Sequence, residues 1–156
     1  MTRDRAPSNL IVSEFMTPAP HCIGVDQTLE LAAERMAELH VRHMPVRDGG
    51  QLVGVLSDRD IALIRAVVAD RVGHMTVEEA MTAVPYCVLP DTPVAEVARH
   101  MATRKLGCAL VVDKNERIEG VFTTTDALEL LANVLDDSMP EPRTKSRLQS
   151  IDVPSR

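Results

Sequence analysis

The chain has 156 residues, enough for one domain or two small ones, and 45% of them are hydrophobic, which excludes a chain that is disordered throughout. A formal charge of -6 opposes a phosphate backbone and an aromatic content of 2% leaves few platforms for exposed bases, so nucleic acid is excluded as a first partner. No apolar run approaches the roughly 18 to 20 residues that span a bilayer, and the opening MTRDRAPSNL lacks the apolar core of a secretion signal, so no membrane partner and a cytoplasmic location are expected.

The core must be aliphatic, because the chain carries two Phe, one Tyr and no Trp. Cys22, Cys87 and Cys108 are odd in number and lack CxxC spacing, which reads as reduced thiols in small core positions. His40 and His43 are one helical turn apart in spacing, but no second ligand pair follows, so no metal site is expected.

In chain order, residues 1–11 read as an N-terminal segment and VSEFM as a small helical lead-in, followed by a short strand toward Cys22. Leu29, Ala32, Ala33 and Met36 have the i, i+3, i+4, i+7 spacing of a helix with one apolar face. HMPVR and LVGVLS are two apolar runs around the turn residues DGGQ, a hairpin pattern, and a second helix follows with apolar Ile61, Ile64 and Val68. A short polar joint spans Asp70 to Thr76.

The order then repeats. VEEAM leads in, Thr92 and Pro93 offer a cap and a first-turn proline, and Val94, Val97, Ala98 and Met101 form the helical face. CALVV and RIEGVF flank DKNE, and a last helix is apolar at Leu128, Leu131 and Val134. At an offset of 65 positions Val12, Glu14, Met16, Thr17, Pro20 and Cys22 match Val77, Glu79, Met81, Thr82, Pro85 and Cys87. One extra residue in the second turn raises the offset to 66, at which Gly54, Val55 and Asp60 match Gly120, Val121 and Asp126. Identity this dense marks a duplicated unit.

The expected organisation is a first unit over 12–70, a linker over 71–76, a second unit over 77–135 and a flexible tail over 136–156 that is rich in Ser, Pro and charge. One copy is too small to bury its own sheet comfortably, so the two should pack sheet to sheet. The expected fold class is α/β (α+β), built from two β-α-β-β-α units.

Each unit closes on a polar cluster, GVLSDRD in the first and GVFTTTD in the second. Ser57 with Asp60, and Thr123 with Asp126, have the spacing of a capping box with Asp in place of Glu. The same geometry suits a ligand: free amides at a helix start attract phosphate, hydroxyls add hydrogen bonds, and a carboxylate accepts two ribose hydroxyls.

The duplicated pattern, with RHMPVRD and GCALVVD before the hairpins and GVLSDRD and GVFTTTD after them, resembles a pair of cystathionine-β-synthase (CBS) domains over residues 12 to 135. The resemblance implies two units packed with pseudo-twofold symmetry, leaving two related clefts for adenosine-containing ligands. It implies that Asp60 and Asp126 bind ribose and that Ser57, Thr123 and Thr125 face phosphate or an equivalent polar group. Arg59 stands where Thr125 stands in the second copy, so the two clefts should differ. It also points to Ala19, His21, Val84 and Tyr86, and to Arg42, His43, Gly107 and Cys108, as the lining of the base and phosphate. The rings of His21 and Tyr86 could stack on adenine or serve as partly buried structural residues. Gly107 and Cys108 lack the charge of Arg42 and His43, a departure that bears on polyphosphate binding at both clefts.

Three functions fit this reading. The first is a regulatory module that senses an adenine nucleotide or related adenosyl compound as an effector, uses no cofactor, catalyses nothing, works as a homodimer and acts on an unidentified partner protein. The second is a structural or partner-binding pair with empty clefts. The third is a slow nucleotide hydrolase with Asp60 or Asp126 as base, although the sequence pairs no nucleophile with a neighbouring base.

Overall fold

The computed structural model describes residues 6–138 and 140–143. Its strands and helices are β1 (Thr17–Pro18), β2 (Ile23–Gly24), α1 (Leu29–Leu39), β3 (His43–Asp48), β4 (Gln51–Ser57), α2 (Asp58–Val68), α3 (Val77–Ala80), β5 (Thr82–Ala83), β6 (Cys87–Val88), α4 (Val94–Arg104), β7 (Cys108–Val112), β8 (Ile118–Thr123) and α5 (Thr124–Leu135). A 3-10 turn at Val12–Glu14 holds the first lead-in. The second is α3.

Helix α1 starts where Thr28 accepts a hydrogen bond from the Leu31 amide at 3.2 Å, and it buries Leu29, Ala32 and Met36. Helix α4 buries Val94, Val97 and Met101 in the same way, but its N-cap is Pro93 rather than the expected Thr92. Pro93 stands at the position of Thr28 and has no side-chain acceptor, so this helix begins without a side-chain cap. Both helices end on a left-handed residue, His40 at φ 53° and Lys105 at φ 55°.

The strands form two four-stranded sheets, ordered β2-β3-β4-β5 and β1-β8-β7-β6. In each sheet a parallel pair is joined through a helix, and an antiparallel hairpin follows it. The edge opposite the parallel pair is exchanged. Strand β1, from the lead-in of the first repeat, pairs with β8 of the second, and β5 of the second pairs with β4 of the first.

The exchange explains the residues that repeat. A Cβ on Gly120 would overlap the Met16 thioether, and one on Gly54 would lie 2.7 Å from Met81 Sδ and 2.8 Å from the Thr82 carbonyl oxygen. Each glycine therefore gives room to the lead-in methionine of the other repeat. Leu10, Val12, Phe15 and Met16 accordingly belong to the core of the second sheet, with Val88, Val97, Met101, Val111 and Phe122. Val77 joins the core of the first, with Ile23, Leu29, Met44, Leu56 and Ile61.

A third cluster, Cys108, Leu110 and Val121 against Leu52, Val55 and Ile118, seals the two sheets face to face. The joint between the repeats is less polar than its sequence, because its 3-10 turn at Val72–His74 buries Val72 in the first core.

Helix α5 departs from its sequence pattern. The residues it buries are Asp126 and Leu130, while Leu128 and Leu131 are 64% and 51% exposed. The apolar stripe read from the sequence is therefore an outer face, and the inner face is set by the capping aspartate. Of the tail, residues 140–143 lie against α5 and the first lead-in, and 139 and 144–156 are outside the described residues.

Gly54→Ala tests the exchanged edge. A new methyl group would meet backbone as well as sulfur, so we expect a loss of about 1 to 3 kcal/mol in denaturant melts, as for other overpacked sites.

Candidate ligand-binding site

The two polar clusters fold into matching helix starts. At α2 the Ser57 Oγ accepts from the Asp60 amide at 3.1 Å, and Asp60 Oδ2 accepts from the Ser57 amide at 3.0 Å and from its hydroxyl at 2.6 Å. At α5 the Thr123 Oγ1 accepts from the Asp126 amide at 3.3 Å, and Asp126 Oδ2 accepts from Thr123 N at 2.7 Å and Oγ1 at 3.0 Å. Both are complete capping boxes with Asp at the third position, and each orients one carboxylate against the amide and hydroxyl of its N-cap residue at the positive end of the helix.

Backbone bonds tie each cap to the entrance of its own hairpin. The Asp58 amide donates to the Arg42 carbonyl at 2.9 Å, and the Thr124 amide donates to the Gly107 carbonyl at 3.1 Å. Arg42 and His43 are thereby held beside Ser57, Arg59 and Asp60, and Gly107 and Cys108 beside Thr123, Thr125 and Asp126. The two entrances also meet: a Cβ on Gly107 would lie 2.5 Å from His43 Nε2, so the imidazole would have to move for any larger residue there. Arg59 and Thr125 are exposed in the first turns, and Arg42 reaches Asp58 at 3.6 Å through solvent.

Burial dominates the titration of the groups at this meeting point. Burial lowers the His43 pKa, while Asp58 and Asp60 act to raise it and Arg42 to lower it further. Burial pushes the Cys108 thiol up to about 12, with Cys87 and Asp60 adding to the rise. Burial also raises Cys22 and Cys87. None of the three thiols is thus activated as a nucleophile.

The connections after β1 and β5 contain Ala19, His21, Val84 and Tyr86. Ala19 and Val84 are equivalent in the repeat, and both are left-handed, at φ 46° and 54°. For a β-branched valine that is 90% exposed this is strained backbone, of the kind that gathers at binding loops. His21 is exposed. Tyr86 already has a ring partner, since it stacks on His100 of α4 with centroids 4.1 Å apart.

Three contacts around the second cap had no counterpart in the sequence reading. Arg143 reaches Asp126 Oδ1 and Glu129 Oε2, each at 2.8 Å, and Thr17 Oγ1 at 3.3 Å. The signal available was the pair Asp126 and Glu129, two acids one helical turn apart facing an arginine-bearing tail.

This constellation defines a duplicated fold with two capped carboxylates at equivalent helix starts. The sequence profile of the CBS domain family matches residues 12–66 and 77–133, and the chain belongs to that family. It is 31% identical over 122 residues to the CBS domain-containing protein YhcV of Bacillus subtilis, covering 78% of this chain and 86% of that one. It is 29% identical over 142 residues to a CBS domain-containing protein of Dictyostelium discoideum, covering 85% of this chain and 98% of the other. Among solved structures it matches the CBS domain pair of protein MJ0100 in complex with 5′-methylthioadenosine and S-adenosyl-L-methionine. That match has a TM-score of 0.73 and 27% identity, covering 80% of this chain and 98% of that one.

The buried His43 gives the fold a pH dependence. Its folded pKa lies below the unfolded value, near 6.5, so the native state binds fewer protons and stability falls as pH drops through that value. His43→Gln should flatten the slope of stability against pH between about 5 and 7 in denaturant melts.

Proposed function

We propose that the chain is a cytoplasmic regulatory module that binds an adenosine-containing ligand in its clefts and consumes nothing. The observation that carries this reading is the duplicated capped carboxylate, Asp60 and Asp126, at equivalent helix starts of a fold shared with an adenosyl-bound CBS pair. A carboxylate already oriented by its own cap needs little reorganisation to accept the two hydroxyls of a ribose. Around Asp60, the cations Arg42 and Arg59 and the half-buried His43 suit a ligand that carries phosphate or carboxylate. Around Asp126, the hydroxyls of Thr123 and Thr125 with Gly107 and Cys108 suit a less charged one.

Output passes through a partner protein, and the working unit is a homodimer. Leu63 and Val67 form an exposed apolar stripe on α2, and Leu128, Leu131 and Leu135 form another on α5, which a second copy of the chain would bury. Light scattering should give twice the chain mass well above micromolar concentration, and Leu131→Glu should return it toward the monomer. A monomeric mass for the native chain rejects the dimer.

One observation favours the alternative, a partner-binding pair with empty clefts: both oxygens of Asp126 are already engaged, by Thr123 and Arg143. Calorimetry separates the readings. With S-adenosylmethionine, 5′-methylthioadenosine and adenosine phosphates, Asp60→Ala should weaken binding roughly ten- to a hundredfold, the value of a charged acceptor, and Asp126→Ala should weaken it by a different factor. Caps with no ligand role would instead cost about 1 kcal/mol of stability and leave affinity unchanged. A bound effector at a hundred times Kd should raise the melting temperature by roughly 5 to 10 °C. An unmoved melting curve across that panel would favour empty clefts.

A further inference from the structure

Residues 140–143 run back along α5, and Arg143 is held at four points. Its backbone amide donates to the Glu14 carbonyl at 2.8 Å, Nη1 donates to Thr17 Oγ1 at 3.3 Å, and Nη2 lies 2.8 Å from both Asp126 Oδ1 and Glu129 Oε2. The planar guanidinium suits this role because its fixed donors reach several acceptors at once. With Oδ2 committed to Thr123, the Asp126 carboxylate is closed on both oxygens, and its side chain is 6% exposed. A cavity of about 70 Å³ lies beside it, among Phe15, Leu130, Asn133 and Pro140.

The first repeat is an internal control. Asp60 makes the same cap with Ser57 but is only partly buried. Leu63 stands there in place of Glu129, and Ala80 in place of Phe15. Among the described residues, no segment equivalent to 140–143 crosses that cap. The closure is thus specific to the second site, and it depends on residues that break the repeat.

We propose that residues 140–143 form a strap over the second cap, in which Arg143 competes with ligand hydroxyls for Asp126. This rests on the reading of the cap as a ligand site. A competitor on the same chain acts at a fixed effective concentration whatever the dilution, so a ligand sees an affinity reduced by the fraction of time the strap is lifted. The first cleft fills first. Filling the second releases Arg143, and by reciprocity a partner that holds residues 140–143 away from the cap tightens the ligand at Asp126.

The test uses the full chain in an Asp60→Ala background, so that binding reports the second cap, with 5′-methylthioadenosine as probe. That ligand is uncharged, so removing an arginine has no direct effect on it. Arg143→Ala should bind it roughly fivefold or more tightly, the release of a partly exposed ion pair worth about 1 kcal/mol. Amide exchange at Thr123 and Asp126 without ligand should also quicken. Equal or weaker binding in Arg143→Ala overturns the strap. Should neither protein bind the probe, the ligand reading of this cap fails, and amide exchange alone decides: faster exchange in Arg143→Ala supports the closure, and unchanged exchange overturns it.

Discussion

The exchange of two short edge strands is the constraint on which the rest of the molecule depends. Each repeat gives up its lead-in, Met16–Thr17 or Met81–Thr82, to complete the sheet of the other, and each receives it over a glycine, Gly120 or Gly54. Neither repeat can therefore close its core alone. Val12 and Phe15 are buried with Phe122, and Val77 with Leu56, so the two repeats share one folding unit. The sheets are then fixed against each other through Leu110, Val121 and Val55, and the hairpin entrances are forced to meet at His43 and Gly107. The functional geometry follows from that meeting, because each hairpin entrance is bonded to a capped helix start.

Duplication supplies two such starts, and divergence makes them unequal. Asp60 is partly buried beside Arg42 and the half-buried imidazole of His43, whereas Asp126 is buried beneath Arg143 and flanked by Glu129. The two units meet at the same place, where the loop at Gly107 approaches the His43 imidazole.

Much of this was legible in the sequence, for a physical reason: an exchanged edge needs the same Met-Thr and Gly-Val pairs twice, and a repeat offset displays them. The capping boxes were legible because Ser or Thr three residues before Asp has few other uses at a helix start. The exchange itself was not, because a repeat reads the same whether each lead-in returns to its own sheet or crosses to the other. The inner face of α5 was misplaced because a buried aspartate holds a position where periodicity expects an aliphatic residue, leaving Leu128 and Leu131 as the visible stripe. The Tyr86–His100 stack and the Arg143 contacts each occur once, and a unique long-range pairing leaves no period to find. Of the tail expected to be flexible over 136–156, residues 139 and 144–156 fall outside the described residues.

The central claim is that the duplicated caps are two unequal ligand sites, and a structure of the chain with S-adenosylmethionine at increasing concentration tests it most directly. The account predicts ribose hydroxyls on the Asp60 carboxylate at low concentration, with Arg143 still on Asp126, and a ligand at Asp126 only once Arg143 has moved away. Equal filling of both clefts with Arg143 in place, or a ligand bound away from both carboxylates, would contradict it.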